Sequence, residues 1–246
     1  MTVENVVFYS QVLGRDFEYR ILLPDGAARP LRTLYLLHGY GGNSAQWLAK
    51  SDVKRWAEIF GVAVVLPSAG SGFYQDNART GVRMKTFIGT ELVDHTRAHF
   101  PLSHRREDTF IAGVSMGGFG SLLIGFRYSE RFSKAAAAAG AFVPGILGSE
   151  MSAWYFLETF GDYATLEGSD REPYGEALRA LAEGRMIPAY LTCGKQDIHL
   201  ECGRRMARML TEAGAEVVWR EEDGGHDWDF FNNCFPAMLD WLTAAE

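Results

Sequence analysis

Apolar and polar positions along the chain fall into blocks of two kinds. Residues 5–10 (NVVFYS) and 17–24 (FEYRILLP) are extended blocks that meet near Gly14, and they read as an antiparallel pair. Beyond them, nearly continuous apolar runs alternate with amphipathic stretches. TLYLLHG is followed by Ala45 to Phe60, and VAVVLPS by Lys85 to Phe100. TFIAGVS leads into Met116 to Tyr128, and KAAAAAG into a longer polar and aromatic region. The late blocks are IPAYLTCG, a helix around Glu201 to Ala213, AEVVWREE, and a final helix from Asp229 to Leu242. Continuous apolar runs suit strands buried on both faces. The alternation therefore predicts an α/β fold: a mostly parallel central sheet of about eight strands with helices on both faces.

Two places test that pattern. The alanine run at 135–139 has helical propensity, and its position in the alternation assigns it to a strand. The stretch between Gly140 and Pro188 is the least regular, and two short helices are expected within it. Residues 141–185 read as an insertion over the C-terminal edge of the sheet, either a lid or acyl-binding wall or ordinary crossover packing. With no linker, repeat or low-complexity tract, residues 1–246 are expected to form a single domain.

Composition narrows the class. Apolar residues make up 47% and charged residues 22%, with 27 Gly and 8 Pro, as in ordinary globular enzymes. The formal charge of -7 and the scattering of basic residues into short clusters such as SHRRED and CGRRMAR argue against a nucleic-acid partner. No apolar run reaches the roughly 18 residues of a membrane span, and the first residues lack a secretory pattern, so a cytoplasmic location is expected. Cys193, Cys202 and Cys234 are odd in number and widely spaced, which reads as free, buried thiols.

The chemistry centres on Gly113-Val114-Ser115-Met116-Gly117, a G-x-S-x-G match between an expected strand and an expected helix. Glycines at that corner let strand and helix approach closely, so the Ser115 hydroxyl projects above the sheet beside the first helical N–H groups. A serine attacks only if a base takes its proton. His226, in EEDGGHDWDFF between the last strand and the last helix, is the candidate base, with His199 its competitor. Asp197, in LTCGKQD after a strand, is the candidate acid that orients the imidazole; Asp223, Asp227 and Asp229 crowd His226 more locally. The order Ser115, Asp197, His226 is that of α/β-hydrolase triads. In LLHGYGGNSAQW, Tyr40 can present a backbone N–H to an oxyanion, with Gly41 competing, and Met116 offers a second N–H. His38 is expected to orient this loop.

Further candidates line a substrate cleft: Gly41, Tyr74, Gln75 and Asp76 on the loops, Trp154 and Phe156 in the insertion, and Trp228 beside His226. Core packing or a surface loop is the alternative for each. Glu91, His95 and His99 recur at helical spacing without a further ligand to complete a metal site. Neither glycine-rich stretch matches a phosphate loop or a dinucleotide fingerprint.

At these residues the chain resembles serine esterases of the esterase D family of α/β-hydrolases, particularly the small tributyrin-esterase-like and cinnamoyl-esterase-like branch. The resemblance runs through LLHGYGGN, AGVSMGGFG, LTCGKQD and GGHDWDFF to the last helix. It implies a carboxylesterase with Ser115 as nucleophile, Asp197 and His226 completing the triad, oxyanion amides from Tyr40 and Met116, and no metal or organic cofactor. Short or medium acyl esters, acetylated carbohydrates and hydroxycinnamate esters are the implied small-molecule partners, and a homo-oligomer is compatible with the family. S-formylglutathione hydrolysis is the implied alternative. Against it, the chain is short at its front and in the crossover, and HGYGGN stands where a cysteine-containing loop is expected.

Overall fold

The computed structural model describes residues 1–142 and 153–244. The two early blocks form a hairpin of β1 (Thr2–Ser10) and β2 (Arg15–Leu23), whose turn ends at Gly14 in the left-handed region, φ 63°. Six strands follow: β3 (Arg32–Leu37), β4 (Val62–Pro67), β5 (Thr109–Val114), β6 (Lys134–Ala138), β7 (Ala189–Gly194) and β8 (Val217–Glu222). They make one eight-stranded sheet in the order β1-β2-β4-β3-β5-β6-β7-β8. Only β2 opposes the rest, so the carboxyl ends of β3, β5, β7 and β8 share one edge.

The described helices are α1 (Ser44–Lys50), α2 (Val53–Phe60), α3 (Met84–Phe87), α4 (Val93–His99), α5 (Met116–Arg127), α6 (Ala153–Phe160), α7 (Pro173–Ala182), α8 (Leu200–Glu212) and α9 (Trp228–Thr243). Side chains alternate across the sheet and feed two cores. Tyr35, Leu37 and Ile111 join the core beneath α3 to α5 and α8, whereas Leu34, Leu36 and Phe110 join the core beneath α1, α2 and α9. This is why the strand sequences read as unbroken apolar runs.

The alanine run is a strand, and its small side chains have a packing consequence. A Cβ at Gly118 would lie 3.3 Å from the Ala137 Cβ, and one at Gly125 2.9 Å from the Ala135 Cβ. Small residues on both partners thus bring α5 close to β6.

Two helical expectations change. The stretch from Ala45 to Phe60 is interrupted at Ser51, which adopts extended backbone; its hydroxyl donates to the Trp47 carbonyl at 2.6 Å and accepts from the Val53 N–H at 3.3 Å. Such local side-chain bonding competes with helix continuation. The stretch from Lys85 to Phe100 is helical but passes through a π-helical turn at Ile88–Leu92. Within that turn, a side chain at Gly89 would overlap the ring of Tyr128, which follows α5.

Candidate active site

Ser115 sits where β5 hands over to α5, with φ 55° and ψ −121°, a conformation uncommon for a residue with a Cβ. Such geometry costs about 1–3 kcal/mol and persists only where neighbours enforce it. Here the Ser115 N–H donates to Ala138 O at 3.0 Å, while its carbonyl accepts from Phe119 N and Ala141 N, each at 3.1 Å. The flanking glycines are required by close approach. A side chain at Gly113 would overlap the Gly117 carbonyl, and one at Gly117 would overlap the Leu37 carbonyl.

Loops after β7 and β8 supply the partners. They are stitched together by Lys195 N to Glu222 O at 2.8 Å, Gln196 N to Gly224 O at 3.0 Å, and Gly224 N to the Gln196 side chain at 2.7 Å. The stitching brings His226 between an acid and the serine. Its Nδ1 donates to Asp197 Oδ2 at 2.9 Å, and its Nε2 accepts from Ser115 Oγ at 3.0 Å. The Asp197 side chain is fully buried, and its other oxygen accepts from His199 N at 2.7 Å. The rival acids are engaged elsewhere or stand in solvent: Asp227 caps α9 through Phe230 N, Asp223 pairs with Lys195, and Asp229 is exposed. His199, the rival base, is 5% exposed and lies edge-on to His226, with ring centroids 4.7 Å apart.

The loop after β3 reaches the same corner. A Cβ at Gly39 would lie 3.5 Å from the Ser115 Cβ, so Tyr40 and Gly41 follow directly beside the serine. His38 braces the loop: Nδ1 donates to Gly39 O at 2.7 Å and Nε2 accepts from Ala69 N at 3.0 Å. Burial pushes its pKa down, which keeps it neutral. Gly41 takes φ 69° and is exposed. Neither Tyr40 nor Met116 is among the donors of the turn and loop hydrogen bonds of the described residues. Met116 opens α5, where first-turn N–H groups have no intrahelical acceptor.

Several expected cleft residues are placed differently. Tyr74 is buried against α5, where its ring covers Gly120, and its hydroxyl donates to His38 O at 2.8 Å. It therefore supports the loop from below rather than bordering a cleft. The buried Gln75 amide donates to Arg171 O at 2.7 Å. Asp76 accepts from the Thr86 N–H at 3.0 Å and the Thr86 hydroxyl at 2.5 Å. Both side chains are thus committed to holding the chain in place. Trp154 is 68% exposed, whereas Phe156 packs on Phe160 and Tyr163. Half-buried Trp228 meets Trp47 and Phe231 edge-on.

Aromatic residues of the insertion gather about the ring of Tyr40. That ring is 55% exposed, 5.9 Å from Tyr155 of α6 and 6.3 Å from Phe73. An aromatic cluster extends beneath it through Phe73, Phe119, Phe160 and Phe156. The only signal in the sequence was an excess of aromatic residues on both segments.

Residues 143–152 of the expected insertion lie outside the described residues. The described part of the insertion is fastened to the loop before α3: Tyr155 donates to Ser71 O, Asn77 to Glu158 O at 2.5 Å, and Arg79 pairs with Glu158 at 2.9 Å. At the opposite sheet edge, a hollow of about 530 Å³ is lined by Arg32, Glu58 and Phe60 among others. Its charged groups are already paired, Arg32 with backbone carbonyls and Glu58 with the terminal amine. Glu91 binds Ser10, Gln11 and Val12 at the hairpin turn, while His95 stacks on Phe8. Among the described residues, no three His, Cys, Asp or Glu side chains form a metal-binding group, and no helix is long and apolar enough to cross a membrane.

Comparisons with known proteins identify the family. The Esterase family model, described as "Putative esterase", matches residues 10–242. An acetyl esterase of Caldicellulosiruptor saccharolyticus is 33% identical over 99% of this chain and 98% of its own length. An S-formylglutathione hydrolase of Paracoccus denitrificans is 29% identical, over 53% of this chain and 54% of its own. Among solved structures, the fluorophosphonate-binding serine hydrolase FphF of Staphylococcus aureus superposes with a TM-score of 0.90 at 24% identity, covering 99% of both chains. The chain belongs to the esterase family and is a carboxylic ester hydrolase of the α/β-hydrolase fold.

Proposed function

We propose that the chain is a serine carboxylesterase that hydrolyses esters of small acyl groups, acetyl foremost, through an acyl-Ser115 intermediate. The observation that carries this reading is the unbroken hydrogen-bond line from Asp197 through His226 to Ser115. As Ser115 Oγ attacks the ester carbonyl carbon, His226 Nε2 takes the hydroxyl proton, and Asp197 stabilises the resulting imidazolium. Charge moves to the carbonyl oxygen, which faces the backbone N–H groups of Met116 and Tyr40. These donors favour the tetrahedral oxyanion over the planar ester. Collapse returns the electron pair to the carbonyl and expels the alkoxide, which takes the proton from His226. A water then repeats the sequence on the acyl-serine: His226 removes its proton, the carbonyl carbon takes the hydroxide, and Ser115 leaves with the proton.

The acetyl preference draws on the acetyl esterase relative, whose likeness spans the whole chain, whereas the S-formylglutathione hydrolase matches about half. We place the enzyme in the cytoplasm, because Cys193, Cys202 and Cys234 are all free and buried, as suits a reducing compartment. The test compares 4-nitrophenyl acetate, acetylated sugars, methyl ferulate and S-formylglutathione on wild type and Ser115→Ala. Acetyl esters are expected to give the highest kcat/KM, with the variant inactive. A preference for S-formylglutathione would replace the substrate class, and an active Ser115→Ala would remove the nucleophile.

A further inference from the structure

His199 is a buried imidazole that the proposed acyl-transfer steps leave without a task. It opens the turn into α8, where its backbone N–H donates to Asp197 Oδ1 at 2.7 Å, the same carboxylate that binds His226 through Oδ2. Its ring stands at 88° to the His226 ring, with centroids 4.7 Å apart. Its Nδ1 is buried without a hydrogen-bond partner. A leucine would occupy this space without stranding a nitrogen, so packing alone does not call for a flat ring here.

We propose that His199 is a positioning residue for His226: its uncharged ring, set at right angles against the base, holds the base on the line between Asp197 and Ser115. The inference rests on His226 being the base. With Asp197 binding His226 on one oxygen and the His199 backbone on the other, the base and its neighbour are set by one buried carboxylate. Held on that line, His226 takes the Ser115 proton without first reorienting, and a base already placed for attack keeps the barrier low. The titratable groups facing His199 are His226 from the loop before α9 and Asp197 from the loop after β7; Cys202, on α8, donates to the His199 carbonyl at 3.1 Å. Burial, then the His226 charge, push the His199 pKa down to about 4, so the ring stays uncharged while His226 cycles.

The test uses the intact chain with 4-nitrophenyl acetate, counting competent sites by organophosphonate titration. His199→Leu removes the ring, and His199→Phe keeps an edge-on ring without its nitrogens, so a folded reporter remains if the leucine variant collapses. His199→Leu is expected to lower kcat per titrated site about three- to tenfold while KM stays within about twofold, and His199→Phe, which keeps the ring, to recover most of that loss. Wild-type kcat in His199→Leu, losses confined to KM and Tm, or a His199→Phe variant no better than His199→Leu would overturn the proposal. Ser115→Ala and His226→Ala run alongside. Activity in those two would overturn the base and nucleophile assignments, whereas their inactivity beside full activity in His199→Leu would overturn only the present inference.

Discussion

The Asp197 carboxylate, carried by the loop after β7, meets the His226 imidazole, carried by the loop after β8, at 2.9 Å with the acid fully buried. The pair is held by backbone bonds between the two loops rather than by the side chains alone. Asp197→Asn should therefore keep the fold and change the chemistry. An amide can donate to Nδ1, which forces the proton to Nε2 and leaves no lone pair for Ser115. A kcat decrease of about 10³- to 10⁴-fold at nearly constant KM is expected, on the scale of triad acids elsewhere. Steady-state kinetics together with an unchanged melting curve check this.

Gly117→Ala should fail differently. The added Cβ would overlap the Leu37 carbonyl and come within 2.7 Å of the His38 carbonyl, backbone atoms that cannot turn away as a side chain can. The loss should be at least about 2 kcal/mol, as for other overpacked sites. A lowered Cm at unchanged m in urea is the expected readout, together with loss of activity, because the same overlap displaces Gly39 and Tyr40. A variant of wild-type stability would mean that the corner is looser than its geometry.

The contrast between these positions explains what could be read in advance. Ser115 and Asp197 each follow an apolar strand run, His226 follows the last strand, and all three carry side chains with few structural uses in that setting, so pattern and chemistry point the same way. Tyr74, Gln75 and Asp76 also sit on a loop near the site, and nothing local distinguishes a cleft residue from a brace. Their partners His38, Arg171 and Thr86 lie 36, 96 and 10 residues away, so the distinction exists only in three dimensions. The break at Ser51 and the π turn at Ile88–Leu92 were hidden for related reasons. One depends on a hydroxyl choosing the backbone, and the other accompanies the Tyr128 ring packed over Gly89.

Acid should weaken the fold through its buried histidines. His199 titrates near 6.5 when unfolded but at about 4 when folded, because burial and His226 oppose its charge. Between those values the unfolded chain binds more protons, so stability rises with pH; the contribution is full above 6.5 and is lost as pH falls toward 4. It amounts to at most about 3 kcal/mol at the acid end. His38, pushed down by burial, adds a loss of the same sign. Urea titrations at pH 7.5, 5.5 and 4.5, pH values spanning about the window between the two states, should show falling stability. His199→Phe should flatten that slope without abolishing it.

The three thiols should be silent in the native protein. Cys193, Cys202 and Cys234 are buried, and burial pushes all three pKa values up, that of Cys202 to about 11. The thiolate is the reactive form, so both access and ionisation oppose modification. A disulfide-exchange reagent at mildly alkaline pH should titrate essentially none in native protein and all three after denaturation. Rapid native reaction of one thiol would show an opening motion that reaches the core.

Breaking the buried Lys85–Glu176 pair should cost more than replacing it. Lys85, its side chain 7% exposed, donates through Nζ to Glu176 Oε1 at 3.1 Å and to the Asp170 carbonyl at 2.6 Å, tying α3 to α7. Arg179 also binds Glu176, but its side chain is one-third exposed and can turn to water when the carboxylate is gone. Lys85 has no such exit, so Glu176→Leu leaves a buried ammonium with a single carbonyl. That change should cost about 3–5 kcal/mol, the scale for an uncompensated buried charge. Adding Lys85→Met removes the stranded ammonium and should restore most of the loss. Urea denaturation of the two single variants and the double variant gives the coupling directly; additive losses would show that the two charges are stabilised separately.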